Sequence, residues 1–450
     1  RRVDDATIER ILALRADIGH EEACGATGVD ALLMVAVFFA ATFWLELPIA
    51  VAMVFASLVG AVAAGEGIPL RHLVEGEFGY LDTIMVIASA MIFMKSAQKT
   101  GFLDAFAVWI IRRFRRMPAF LSLGILLLIM APGMITGSSI ASVLTTGALV
   151  APVLVTLGLE PERAGAVISM GALLGMVAPP VSIPAMIICA GVDIPYVGFT
   201  VPLLICTLPL AAIFALTMVY PVIRRFEDEG ALEAQLEGMN ARPLTLRLSL
   251  PVLVLVALIA AEQFLSGSRY WHFLGMPAIF LIAAASALLT GVRWNPMEAA
   301  AEAIDDSLPI MSVLMGVGMF IQVMTLIGAE GFVVVSALSL PSWGLLASVL
   351  IAMPLFGAIS AYGSASVLGV PFLLALSGHD VVIVASALGM LASLGDLMPP
   401  GTLSPFFAAR ALGVEDRFRI ARRCLWPGVT VALWCLAVIL MSDAIARHIR

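Results

Sequence analysis

Met134-Ile135-Thr136-Gly137-Ser138-Ser139-Ile140-Ala141 decides how this chain folds, because long apolar stretches flank a centre that resists helix. Glycine loses the most backbone freedom in a helix, and serine hydroxyls compete for the backbone's own hydrogen bonds. Further on, Pro179-Pro180 removes two adjacent backbone donors, so the chain must leave the helix again. The surroundings make such breaks expensive. The chain has 450 residues, 61% of them hydrophobic and 13% charged, against about 45–50% and 25% in a soluble domain. Its apolar runs approach the roughly 20 residues that carry a helix across a bilayer core.

The fold class that follows is an all-α polytopic membrane protein with about 10–12 spans, at roughly 20 residues per span. A β-barrel is disfavoured, since its strands alternate in polarity whereas Val201 to Tyr220 is apolar all round. Residues 1–29 form a polar N-terminal segment that does not lead into the apolar core a secretory signal needs after its basic start. The first membrane half covers 30–223, and its opening block breaks at Glu46-Leu47-Pro48 into two short spans. Residues 66–82 are amphipathic and suit the membrane interface. A polar linker spans 224–247, and the second half, 248–450, offers spans at 248–265, 273–291, 308–327, 342–357, 380–395 and 425–442. The clusters Arg112, Arg113, Arg115, Arg116 and Arg417, Arg419, Arg422, Arg423 are cytoplasmic markers.

The two halves share a pattern. Gly137-Ser138-Ser139 precedes Pro179-Pro180 in the first, and Gly363-Ser364-Ala365-Ser366 precedes Pro399-Pro400 in the second. Upstream, Gly101-Phe102 and Gly331-Phe332 each follow an apolar stretch. Three matched elements in one order point to duplication. Paired breaks at corresponding places mark a transporter's midplane binding site, because unpaired backbone groups in lipid cost several kcal/mol each unless they line a cavity or are buried in protein. The segments after Gly137 and Gly363 read as re-entrant hairpins, near 137–158 and 362–378.

The sequence resembles the large membrane subunit of tripartite ATP-independent periplasmic (TRAP) transporters, within the ion transporter superfamily. Thr136-Gly137-Ser138-Ser139 is similar to that family's Thr-Gly-Ser-Ser motif, Ala178-Pro179-Pro180-Val181-Ser182 to its Pro-Pro-Ser stretch, and Glu46-Leu47-Pro48-Ile49-Ala50 to its early Gly-x-Pro-Ile-Ala. The resemblance runs from about residue 30 to 440 and is stronger in the first half. It implies inverted repeats, two re-entrant hairpins, an elevator-type transport domain, sodium coupling and organic-anion substrates. It also implies two partners, a small membrane subunit and a periplasmic substrate-binding protein. The second half departs from the pattern. Ser360-Ala361-Tyr362-Gly363-Ser364 stands where the family usually carries an Asp, Met398-Pro399-Pro400-Gly401-Thr402 replaces Thr-Pro-Pro-Val-Gly, and an acid appears at Asp396 where the first half has Met176.

Candidate substrate or ion ligands are therefore Thr136, Gly137, Ser138, Ser139, Pro179, Pro180, Ser182, Gly363, Ser364, Ser366, Asp396, Pro399, Pro400 and Thr402. Hydroxyl and carboxylate oxygens suit a hard cation, which places possible sodium at Ser138, Ser364 and Asp396. Asp396 is the sharpest position, because intramembrane carboxylates usually face a cavity and a partner. Arg410 reads as a snorkelling interfacial residue. Lys95 and Lys99 read as span boundaries, His379-Asp380 as a cap, and Glu262, Asp305, Asp306 and Glu330 as interfacial.

The function read from the sequence is secondary active import of a small organic anion of the carboxylate class, driven by a sodium or proton gradient, at the bacterial inner membrane. The alternatives are a cation/proton antiporter, a stand-alone carboxylate carrier, or a non-transporting assembly subunit. An enzyme is disfavoured, because no HExxH or GxSxG occurs and no histidine neighbours the serines of the breaks. A channel would need a filter motif or charged ring. The chain has no P-loop. Five cysteines without a CxxC pair and five dispersed histidines give no zinc site or cofactor. The net charge of −7 implies no nucleic-acid partner, and the surrounding medium is membrane lipid.

Overall fold

The structure is a computed structural model that describes residues 20–265 and 275–449. Among the described residues every regular element is a helix. Residues 1–19 of the polar N-terminal segment and the first two residues of the expected span at 273–291 lie outside that set. Helix α1 (His20–Phe43) ends before Glu46-Leu47-Pro48, and α2 (Ile49–Ala63) starts one residue after the proline. α3 (Leu70–Gly79) and α4 (Leu81–Lys99) follow, then α5 (Phe102–Phe114), α6 (Pro118–Thr136) and α7 (Ser139–Thr156). α8 (Pro161–Val177) and α9 (Ile183–Gly191) flank the first proline pair, and α10 (Thr200–Ile223) closes the half. The linker contains α11 (Glu229–Gly238).

The second half begins with α12 (Leu246–Leu265) and α13 (Met276–Thr290). The rest of it repeats the order of α4 to α10: α14 (Pro296–Leu326), α15 (Ala329–Leu338), α16 (Ser342–Gly357), α17 (Ala361–Ala375), α18 (Val381–Leu397), α19 (Leu403–Leu412), then α20 (Arg417–Arg423) and α21 (Leu425–Leu440), which meet at 45°. A short α22 (Ser442–Ile449) ends the chain. Among the described residues five helices are long and apolar enough to cross a membrane, or six with the bent pair, and seven shorter apolar helices accompany them. This is the architecture of a multi-pass membrane protein.

Backbone detail corrects the register of the repeat. Ser138 and Ser360 are the matching helix caps, their hydroxyls accepting from the N–H groups of Ala141 and Gly363. Five residues after each cap comes a π-turn, Val143–Gly147 and Ala365–Gly369. Ser142 therefore corresponds to Ser364, and Gly363-Ser364 lies a helical turn beyond the true counterpart of Gly137-Ser138. Likewise the left-handed glycine matching Gly101 is Gly328, not Gly331. Residue identity misled because the position matching Gly137 is Ile359, while Gly-Ser falls one turn later at 363–364, and the cap is set by a side-chain-to-backbone bond. Both Pro-Pro bonds are cis.

The hairpins also lie further upstream than expected. Thr146 reaches the carbonyl of Ile129 across α6 and α7, and Ser364 donates to the carbonyl of Met353 across α16 and α17. The first hairpin thus turns at Gly137-Ser138 and consists of α6 and α7, so the stretch 137–158 is essentially its second arm. Thr145-Thr146-Gly147 does not interrupt that arm, because the extra residue is absorbed as a π-turn. The second hairpin turns at 358–360.

Two groups of helices support these turns. α14 packs along α2, α3 and α4, with α13 against α4. The amphipathic stretch around α3 does not simply float at an interface. Gly76 of α3 and Gly318 of α14 meet backbone to backbone, and a Cβ on either would overlap the other's carbonyl. Phe38 of α1 is buried between Phe320 of α14 and Phe356 of α16, its ring stacked on Phe356 at 5.8 Å between centroids and 9° between planes. Around the hairpins, α8 packs on α6 and α19, and α18 packs on α9, α16 and α21.

Gly318→Ala should destabilise the protein by about 1–3 kcal/mol through overpacking. Gly331→Ala, where no atom lies within 4 Å of the added Cβ, should be neutral or stabilising by up to about 1 kcal/mol from helix propensity. Thermal unfolding in detergent distinguishes the two, and equal effects would contradict the packing described.

Candidate functional site

The first break is built so that its backbone has partners. Gly137 ends α6 in the left-handed region (φ 65°), a conformation an L side chain rarely adopts. Ser138 then caps α7. The extended segment after Pro179-Pro180 crosses beneath the turn, where the N–H of Val181 donates to the carbonyl of Met134 at 3.1 Å. Tyr196 donates its hydroxyl to the carbonyl of Pro180 at 3.3 Å. In the second half Gly395 lies directly against the backbone of Gly357, so the end of α18 is pressed onto the turn between α16 and α17.

The two turns then meet. Tyr362 of α17 donates its hydroxyl to the carbonyl of Gly137 at 3.2 Å, and Ser139 of α7 donates to Oδ2 of Asp396 at 2.5 Å. Asp396 is 5% exposed. Among the described residues Ser139 is its hydrogen-bond donor, and no Lys, Arg or His pairs with it.

Above this junction lies a cavity of about 750 Å³, within the range that holds small ligands. One wall is the meeting point of the turns, with Ser138, Ser139, Ser360, Tyr362, Met176 and Asp396. The opposite wall belongs to the supporting helices and includes Ile49, Met91, Lys95, Gln98, Asp305 and Asp306. Lys95, 18% exposed at its side chain, pairs with Asp306 at 2.6 Å and Glu302 at 3.8 Å. Lys99 continues the ladder to Glu302 at 2.6 Å and Glu298 at 3.2 Å.

Of the residues singled out from the sequence, Ser138, Ser139 and Asp396 line this cavity. Thr136 donates to the carbonyl of Pro132 and receives the N–H of Ser138, stiffening the turn from behind. Gly137 contributes the carbonyl that Tyr362 holds. Gly363 gives its N–H to Ser360, while Ser364 and Ser366 donate to carbonyls of their own hairpin. Pro179 is buried, whereas Pro399 and Pro400 are exposed. Ser182 and Thr402, each just beyond a proline pair, are buried, and their hydroxyls have no hydrogen-bond partner. Thr402 also sits at φ 43°, uncommon for a β-branched residue. No group of three or more His, Cys, Asp or Glu is placed to hold a metal among the described residues.

Sequence reasoning missed Lys95, Asp305, Asp306, Ser360 and Tyr362. Lys95 and Asp306 are not simple boundary residues, because each satisfies the other across the α4–α14 joint. A signal existed: lysines four apart on one helix and acids four apart on another form complementary ladders. Arg410 is exposed and lies near the ring of Phe406, clear of the cavity.

Comparisons with known proteins agree with this architecture. The family model described as "Tripartite ATP-independent periplasmic transporter, DctM component" matches residues 35–445. Among solved structures, the YdaH transporter of Alcanivorax borkumensis is similar with a TM-score of 0.58 at 15% identity, covering 82% of this chain and 86% of that one. A likeness at that identity speaks to the fold. A search of curated proteins finds no match.

Ser139→Ala should destabilise the protein by about 1–3 kcal/mol, since it strips a buried carboxylate of its donor. In an Asp396→Asn background the same change should cost about 1 kcal/mol less, because contacting residues couple. A double-mutant cycle of unfolding free energies checks this, and strict additivity would refute the contact.

Proposed function

Taking as premise that the chain belongs to the family of the DctM component of tripartite ATP-independent periplasmic transporters, we propose that it imports a small organic acid of the carboxylate class, with a sodium or proton gradient as the driving force. The observation that carries this reading is the cavity whose two walls come from different groups of helices, hairpin turns on one side and the α2–α4–α14 support on the other. A solute held there touches both groups, so movement of one against the other changes its access. Such a movement would be of the elevator type. The hairpins, each folded back on itself at its serine cap, then act as re-entrant gates, and the duplicated order of elements becomes a pair of inverted repeats.

The coupling ion is treated as cargo. The orphaned hydroxyls of Ser182 and Thr402 support a cation near the proline pairs, since buried oxygens of this kind usually have a protein, water or ion partner. Asp396 supplies a carboxylate at the meeting point of the turns. By family membership the chain works with a small membrane subunit and a periplasmic substrate-binding protein, in the inner membrane. Cation/proton antiport is a second reading favoured by Asp396, which lacks a cationic partner among the described residues.

The test is uptake of a labelled carboxylate panel into proteoliposomes, with sodium, proton gradient and candidate binding protein varied separately. Accumulation that collapses when one gradient is removed is expected, and Asp396→Asn should abolish or alter that ion dependence. Cation exchange without any solute uptake would favour antiport. No movement of any species would leave an assembly role.

A further inference from the structure

The charges that face the cavity are unequal. Asp305, Asp306 and Asp396 stand against Lys95, and among the described residues the lining has no arginine or histidine. Lys95 is already engaged by Asp306. A solute bearing carboxylates alone would enter a space with surplus negative charge, and it would come to rest beside a buried Asp396 that has no cationic side chain among the described residues, the coupling cation being placed at Ser182 and Thr402. Like charges in such a poorly solvated place repel strongly.

We infer that the solute is zwitterionic, an amino-carboxylate whose ammonium group is received at Asp396 and whose carboxylate faces Lys95. This rests on the transport reading above and narrows its substrate class. Three features make the Asp396 end a seat for a cation. Its carboxylate has one neutral donor, Ser139, and accepting capacity to spare. The hydroxyl oxygens of Ser138 and Ser360 lie in the same wall, giving an ammonium group further acceptors. Tyr362 lines the same cavity, its hydroxyl anchored on the carbonyl of Gly137, and an aromatic side chain attracts cations. At the far wall Lys95 and Gln98 are the donors that a carboxylate would find, with Asp306 holding the lysine in place until the solute arrives. A simple acid would add to the surplus negative charge, and a simple amine would leave the Lys95–Gln98 end without an acceptor.

The experiment is counterflow into proteoliposomes carrying the full chain with its partner subunits, using matched probes: γ-aminobutyrate, butyrate and butylamine, and glutamate with glutarate. Amino-carboxylates should exchange at least tenfold faster than the same skeletons lacking either group. Asp396→Asn should erase that preference over butyrate and glutarate, and Lys95→Gln should erase the preference over butylamine. Butyrate or glutarate moving as fast as its amino counterpart, or an unchanged preference in Asp396→Asn, would overturn the inference while leaving transport intact. Should no probe move, thermal shifts of the purified protein decide. Stabilisation by γ-aminobutyrate or glutamate that is lost in Asp396→Asn supports the charge assignment and removes the transport reading, and absence of that preference overturns both.

Discussion

A helix that stops inside an apolar body exposes N–H and C=O groups that lipid cannot satisfy. This chain stops four times in that way, at the two hairpin turns and the two proline pairs, and satisfies the groups by pressing the breaks against one another. Val181 bonds back to Met134, serine caps close the first turns of α7 and α17, Tyr362 takes the carbonyl of Gly137, and Ser139 reaches Asp396. Every one of these bonds joins a break to another break or to its own cap. The consequence is a cluster of irregular backbone that holds itself together, with a cavity on the side that its supporting helices close.

Charge is distributed under the same constraint. The supporting side pairs Lys95 and Lys99 with three acids of α14, and Arg419 and Arg423 clasp Glu160 and Glu162 where α20 meets the start of α8. Arg112 of α5 and Arg115, just past its end, hold Glu233 on the linker helix. These pairs are mostly well exposed and individually weak. Asp396 differs in being buried and without a cation among the described residues. A group retained at such a cost is most readily understood by what it meets during function.

Much of this was legible in the sequence. Glu46-Leu47-Pro48 and both Pro-Pro pairs announced where helices end, because proline acts through its own missing donor and needs no tertiary context. The turn at Gly137-Ser138-Ser139 was legible for a similar reason. What failed was register. Gly363-Ser364 looks like Gly137-Ser138, but the cap falls on Ser360, and only the bond to the N–H of Gly363 reveals it. The far wall was hidden too, since Lys95 and Asp306 are distant in sequence and each alone resembles a residue at the end of a span. Local signals mark where the backbone breaks, while the polar partners that fill the space are chosen by packing.

The ring contact between Phe38 and Phe356 has a mechanical meaning. Flat apolar faces carry no donor or acceptor that must be re-partnered when one slides past the other, and dispersion is spread over many weak atom pairs. Where Gly76 and Gly318 interlock, by contrast, any lateral offset drives main-chain atoms into collision. That seam is keyed, so the two helices that carry these glycines should travel as one body in any relative displacement within this molecule.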